Sequence, residues 1–307
     1  MIRNNFKKII DLVCAKSPLQ RKKIQNYLSD QDDTFFYLAE EFATKYLNYL
    51  TSENIPIDYA VDSYLKVCND MLKSQIYFMK TGKYPVQRAD EAFENVYNNE
   101  QEMTSFMIGL AISQFLWSTH YSMFKCFKDA LKKKRDEISS YLEIGPGHGL
   151  FLDEAMAYLK EDAKITVVDI SATSIKITKS IMKFFHQSDY DRIEYHNIDM
   201  LDLELNETYD FIAMGEVIEH VNYPEKLLNK LRDLLYKKGT AFISTCVDCP
   251  TIDHVFHFKS VDQIRKMLAG CGLLIEDERV LPVEDLPMEE IIKRRITINY
   301  CAIVRRA

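Results

Sequence analysis

Tyr141-Leu-Glu-Ile-Gly-Pro-Gly-His-Gly149 decides how this chain is read. A short apolar run (Tyr141, Leu142, Ile144) meets glycines at Gly145, Gly147 and Gly149, and an apolar periodic segment, Leu150 to Leu159, follows at once. That order predicts a strand, a tight turn and a helix start. Glycine permits positive φ and close approach of backbone to a ligand, and a helix N-terminus favours a negative group. A dinucleotide fingerprint, G-x-G-x-x-G, fails here because its third glycine would fall on Leu150.

Downstream the hydrophobic period alternates. Apolar strands are expected at Lys164–Asp169, Arg192–Asp199, Tyr209–Gly215, Thr240–Thr245 (after a turn at Lys238-Gly239), Leu273–Val280 and Ile296–Val304. Helices are expected from a Ser171 cap to Phe185, from Pro224 to Leu235, from a Ser260 cap to Ala269, and from Met288 to Arg294. Strands that are apolar nearly throughout, alternating with helices, imply an α/β fold with a mostly parallel, doubly wound sheet covered on both faces.

Upstream, residues 1 to about 135 read as helix after helix. Ser17-Pro18 is a capped helix start, Asp33 or Thr34 can cap the next helix, and a third runs from Pro56 to Lys80 and stops at Gly82. A long helix from Gln101 to Lys133 is apolar nearly all round in its middle, Gly109 to Phe124. Core packing explains that stretch. Its aromatic content also makes Trp117, His120 and Tyr121, with Phe115 and Phe124, candidates to wall an acceptor pocket. The division expected is a helical substrate or lid domain, 1–135, and a ligand-binding domain, 136–307.

The 307 residues carry a net charge of −7 and are 47% hydrophobic, as in an ordinary soluble globular protein. This charge argues against broad nucleic-acid binding. No apolar run reaches the ~20 residues a bilayer span needs, and Met1 to Lys8 lacks the h-region of a signal peptide. Seven scattered cysteines form no disulfide framework, and Cys246-x-x-Cys249 lacks the second pair of a zinc ribbon. A cytoplasmic location is expected. Oligomeric state is left open, a dimer included.

Glu143-x-Gly145-x-Gly147-x-Gly149 resembles the first motif of class I S-adenosylmethionine (SAM)-dependent methyltransferases. The resemblance covers roughly residues 138–305 and implies a seven-stranded, Rossmann-like sheet whose last strand is antiparallel. It also implies SAM as cofactor and S-adenosylhomocysteine as product. Candidate cofactor residues are Glu143, Gly145, Gly147 and Gly149 in the turn. Asp169 with Ile170 would serve the ribose, Asp199 with Met200 the adenine, and Glu216 the sulfonium end.

Gly215-Glu-Val-Ile-Glu-His220 is similar to the corresponding run in ubiquinone-biosynthesis O-methyltransferases and small-RNA 2′-O-methyltransferases. In the latter family two glutamates, a histidine here and a later histidine bind a divalent metal. Glu216, Glu219, His220 and His254 match those positions, and such a set suits Mg²⁺, Mn²⁺ or Zn²⁺. His254 or His257 as a general base, assisted by Glu219 and His220, is a second reading, and a purely structural role, with His220 ordering the helix start, is the third. A small-molecule acceptor methylated on oxygen, in small-molecule or natural-product biosynthesis, is the function expected. The rivals are methylation of nitrogen, of RNA or of a carrier-bound peptide, and a non-catalytic SAM-binding scaffold.

Overall fold

A computed structural model describes residues 4–204 and 207–307. The N-terminal part is α1 (Asn4–Lys16), α2 (Pro18–Ser29), α3 (Asp33–Ser52), α4 (Ile57–Thr81), the short α5 (Ala89–Ala92), α6 (Glu100–Leu116) and α7 (Ser118–Lys134), with a π-helical turn, Phe93–Tyr97, after α5. Ser17 Oγ accepts the Gln20 N–H and Pro18 opens α2, as its sequence predicts. For α3 the cap is Asp32, whose carboxylate accepts the Phe35 N–H at 2.8 Å, one residue before the expected Asp33. Gly82, at φ 71°, closes α4.

The single long helix expected over Gln101–Lys133 is two. Trp117 is extended (φ −116°, ψ 122°) and separates α6 from α7. No proline or glycine causes this break. Tertiary bonds hold it: Trp117 Nε1 donates to Tyr64 Oη at 2.9 Å, and Ser113 Oγ lies 2.8 Å from His120 Nδ1.

Helices α4 and α6 cross closely at Gly109, where an added Cβ would lie 2.5 Å from the Ser63 carbonyl carbon and oxygen. Backbone cannot yield as a side chain does. Gly109→Ala should therefore destabilise the chain by about 1–3 kcal/mol, the range for overpacking. Thermal denaturation checks this, and an unchanged midpoint would mean that the two helices part freely.

The remainder is β1 (Ser140–Ile144), α8 (Leu150–Met156), β2 (Lys164–Asp169), α9 (Ala172–Phe185), β3 (Ile193–Asn197), β4 (Tyr209–Gly215), α10 (Pro224–Leu234), β5 (Leu235–Val247), α11 (Val261–Gly270), β6 (Leu273–Pro282), α12 (Met288–Lys293) and β7 (Ile298–Arg306). The seven strands lie in the order β3-β2-β1-β4-β5-β7-β6, and β7 alone runs antiparallel to its neighbours. Strand β5 begins earlier than expected. Lys238-Gly239 is not a turn between helix and strand but part of a register shift against β4, where a Gly239 Cβ would lie 2.8 Å from the Tyr209 carbonyl oxygen.

Alternate residues of each strand face opposite sides. Tyr141, Ile165, Val167, Phe211, Ala213 and Phe242 meet α7, α8 and α9 in a core that continues without a break to Phe6, Phe35 and Phe115. Leu142, Ile144, Ile212, Met214 and Ile243 meet α10 and α11 on the other side. Strand order reverses between β1 and β4, so the carboxyl ends of β1, β2 and β4 open onto the switch point where ligands bind in such sheets.

Candidate cofactor and metal site

The glycine turn adopts the backbone its sequence demands. Gly145, Gly147 and Gly149 have φ of 67°, 52° and 71°, a region that L side chains rarely enter. Gly145 N–H donates to the Val168 carbonyl at 2.8 Å and ties the turn to β2. A Cβ on Gly147 would meet nothing closer than 4.0 Å, so its face of the turn is bare. Glu143 lies below, 2% exposed, and its carboxylate accepts the Tyr141 hydroxyl at 2.5 Å. Burial lifts its pKa to about 8, against the pull of Tyr141 and the Leu152 amide. It braces the turn from beneath.

Asp169 ends β2. One carboxylate oxygen accepts the Ser171 N–H at 2.8 Å and the other the Ser174 hydroxyl at 2.6 Å. Each oxygen keeps a lone pair. Ile170 beside it is exposed, as are Ile198 and Leu201 at the end of β3, which together make an apolar rim. Asp199 caps the short turn after β3 through the Leu201 N–H at 2.8 Å, and Met200 is buried beneath it.

After β4, Glu216 has φ of 54°, a strained backbone for a glutamate, fixed by its N–H donating to the Ser244 carbonyl and hydroxyl, both at 3.1 Å. The next turn carries Glu219 and His220, and the loop after β5 brings His254 onto them. Ligand atoms of Glu219, His220 and His254 all lie within 4.8 Å of one another. Glu219 Oε2 accepts the Thr245 hydroxyl at 2.8 Å, whereas Oε1 of both Glu216 and Glu219 is buried without a hydrogen-bond partner. His254 Nδ1 faces the Cys249 carbonyl at 2.7 Å, and its Nε2 lies 3.9 Å from Glu219 Oε1. His220 Nδ1 faces the Tyr97 hydroxyl at 2.8 Å and the Asp253 carbonyl at 3.1 Å. Each ring thus spends Nδ1 on a neighbouring carbonyl, and His254 turns Nε2 toward Glu219, the kind of second contact that orients metal-binding histidines.

Residues 142–241 match the methyltransferase-domain family. The mitochondrial ubiquinone biosynthesis O-methyltransferase of Candida albicans is 32% identical over 120 residues, 36% of this chain and 35% of that protein. The chain therefore spans about a third of that relative's length. The ubiquinone biosynthesis O-methyltransferase of Xanthomonas euvesicatoria is 25% identical over 181 residues, 52% of this chain and 73% of that one. The chain carries a class I SAM-dependent methyltransferase domain. Among solved structures, mitomycin 7-O-methyltransferase shares its fold, with a TM-score of 0.55 at 10% identity, over 82% of this chain and 70% of that one. A likeness of that extent reaches beyond the methyltransferase domain into the helical part.

The electrostatics of the domain's carboxyl edge follow from burial. Glu216 is pushed well above the ordinary carboxyl range, first by desolvation and then by Glu219. Burial disfavours the charged form of His254, but Cys249, Glu219 and Asp253 outweigh it and raise its pKa to about 10. Burial also pushes the Asp253 carboxyl up, and His220 and His254 bring it back below its usual value.

The other candidates are placed differently. His257 points away from the cluster, with Nε2 2.7 Å from Asp248 Oδ1 and its ring 4.7 Å from that of Tyr84. Arg295 donates to the same Asp248 oxygen at 3.0 Å, so His257 belongs to a clamp that ties the loop to α4 and the β6–β7 connection. Tyr121 sits in the helical core, 4.9 Å from Phe35 and 5.5 Å from Phe115 by ring centroid. His120, 4.6 Å from Trp117, is held by burial near pKa 3, and His148 of the glycine turn near 4, so both are neutral imidazoles.

Sequence reasoning missed Tyr97. From the π-helical turn it donates to Asp253 Oδ2 at 3.0 Å, touches His220, and accepts the Ser171 hydroxyl on its carbonyl at 2.8 Å. Five residues between two helices carry no periodic signal that could have marked it.

Proposed function

We propose that this chain transfers the methyl group of SAM to a hydroxyl oxygen of a small-molecule acceptor, aromatic or amphipathic, enclosed between the carboxyl edge of the sheet and the helices of residues 1–135. The relatives named above act on oxygen by name, which supports oxygen over nitrogen. The observation that carries the reading is the pair of orphaned, buried carboxylate oxygens, Glu216 Oε1 and Glu219 Oε1, the second 3.9 Å from His254 Nε2. Leaving them bare would cost about 1–3 kcal/mol each or more.

Glu219, His220 and His254, whose ligand atoms lie within 4.8 Å of one another, would hold a divalent cation, with Glu216 beside Glu219. Bound there, it would supply Lewis-acid polarisation of the acceptor hydroxyl. His254 serves as a ligand in this reading, with its Nε2 3.9 Å from Glu219 Oε1.

The reaction is an in-line displacement: the acceptor oxygen attacks the methyl carbon as the carbon–sulfur bond breaks, S-adenosylhomocysteine leaves, and the hydroxyl proton passes to solvent. The glycine turn, Asp169 and the Ile170–Ile198–Leu201 rim hold the cofactor. Asp199 would receive the adenine amine. His120, which feels the charge of His148 in the glycine turn, and Trp117, 4.6 Å from His120 by ring centroid, would border the acceptor. Holding the acceptor against the methyl and excluding water supply much of the rate. Among the described residues no helix is long and apolar enough to cross a membrane. The free state of all seven cysteines fits a reducing compartment such as the cytoplasm.

Labelled SAM incubated with a panel of hydroxylated acceptors tests the proposal. Transfer should appear, vanish with a chelator and return with a divalent cation. Transfer that ignores the chelator would remove the metal, and no transfer to any hydroxyl would remove the oxygen acceptor.

Asp169 gives a pH-dependent test. Burial lifts its pKa to about 6, partly offset by Ser174 and Ser171. The ionised carboxylate is the form that accepts two ribose hydroxyls, so affinity is full above pH 6 and falls below it by up to about tenfold per unit. Calorimetry with S-adenosylhomocysteine should show this decline in the wild type and a flat, weaker profile in Asp169→Asn. Wild-type affinity in that variant would reject the ribose assignment.

A further inference from the structure

The carboxyl end of β5 holds two donors that the carboxylate and imidazole set leaves out. Cys246, 2% exposed, faces the same side of the strand as Ser244, which fixes the Glu216 backbone. Its Sγ forms a group with the carboxylate oxygens of Glu216 and Glu219 whose members all lie within 4.8 Å of one another. The same sulfur is 3.6 Å from His254 Nδ1. Cys249 adds a second thiol within that range of Cys246 and His254. Glu219, 1% exposed, aims its orphaned Oε1 into this cluster. A thiol is too weak a donor to satisfy two such oxygens.

We propose that the cation held here is thiophilic, zinc by preference, with the Cys246 thiolate as a ligand alongside Glu216 and Glu219. The inference rests on the reading of this cluster as a metal site and names the chemical class of the ion. Mg²⁺ asks for oxygen ligands in a near-ideal octahedron and keeps several waters. The donors fall into three overlapping sets, each with its ligand atoms within 4.8 Å of one another: Glu216, Glu219 and Cys246; Glu219, His220 and His254; and Cys246, Cys249 and His254. Sulfur and nitrogen donors favour Zn²⁺, or Co²⁺ and Fe²⁺, over Mg²⁺. Binding converts the Cys246 thiol to thiolate and releases its proton to solvent.

Co²⁺ serves as the spectroscopic probe, because thiolate ligation gives a sulfur-to-cobalt charge-transfer band in the near ultraviolet. The metal-free full chain should develop this band with Co²⁺. Stoichiometric Zn²⁺ should abolish it, and a large excess of Mg²⁺ should leave it intact. Cys246→Ser should lose the band and bind Co²⁺ at least about 10–100-fold more weakly by equilibrium dialysis, the loss seen for a mere supporting partner. Cys249→Ser should keep the band. Zinc-edge X-ray absorption on the wild-type protein needs no variant and should show a sulfur neighbour near ~2.3 Å.

Co²⁺ bound without the band, or a zinc shell of nitrogen and oxygen alone, would overturn thiolate ligation while the metal site stands. A band that survives in Cys246→Ser would overturn the choice of residue. Failure of the wild type to bind Co²⁺ or Zn²⁺ in dialysis would bring down the metal reading itself, and this inference with it.

Discussion

Glu219→Gln should lower turnover by about 10²–10⁴-fold, or roughly 3–5 kcal/mol of barrier, while leaving S-adenosylhomocysteine affinity little changed. The substitution keeps the shape of the side chain, so the packing of the β4–α10 turn survives. It removes the charge from a group only 1% exposed, whose Oε2 accepts the Thr245 hydroxyl at 2.8 Å and whose Oε1 has no partner. The proposed cofactor residues of the glycine turn, Asp169 and Asp199 lie at the ends of β1, β2 and β3, and none of them bonds to Glu219. A loss confined to turnover, together with loss of divalent-cation binding in calorimetry, is the expected pattern. Wild-type turnover at saturating acceptor would leave proximity alone to explain the chemistry.

Phe127→Ala should destabilise the chain by about 3–5 kcal/mol, the usual range for emptying a buried aromatic site. Its ring is fully buried, 4.7 Å from Phe151 of α8 and 5.3 Å from Phe242 of β5 by centroid. Helix α7 thus fills the sheet face between α8 and the antiparallel strand. Phe124 and Leu131 lie on the same helix and are buried as well. Each large apolar side chain contributes about 1.5–3 kcal/mol by burial, and a whole domain has only about 5–15 kcal/mol to spare. A chain beginning near Lys132 should therefore fail to fold, which denaturant titration and circular dichroism would reveal. Cooperative unfolding of such a fragment would mean that the sheet stands without its helical cover.

The sheet was legible because parallel strands buried on both faces read as unbroken apolar runs. The run Lys164–Asp169 became β2 residue for residue, and Tyr209–Gly215 became β4. Helix starts with a serine cap (Ser17, Ser171, Ser260) were legible because that cap is a local bond between residues three apart. The break at Trp117 was not. An all-round apolar stretch carries no breaker, and the bond that stabilises the break comes from Tyr64, fifty-three residues earlier. Lys238-Gly239 misled for the opposite reason. Glycine there serves close approach of two strands, where its local signature reads as a turn. The pattern from Glu216 to His220 marked one half of the candidate cluster, but the roles of Tyr97, Thr245 and Cys246 depend on loops that converge only in three dimensions.

Tyr97 has a consequence for how such a protein could be altered. It belongs to the helical part, yet its hydroxyl sets the ring of His220 and its carbonyl takes the hydroxyl of Ser171, the residue that caps the helix after Asp169. In the function proposed, specificity and chemistry are therefore not separately inheritable in this chain. Grafting the helical cover of another acceptor onto this sheet would also remove the contact that orients His220. A working chimera would have to bring its own tyrosine to the same place, so, with Trp117 and His120 bordering the acceptor as proposed, new acceptors should be more accessible by changing residues around them than by exchanging the cover whole.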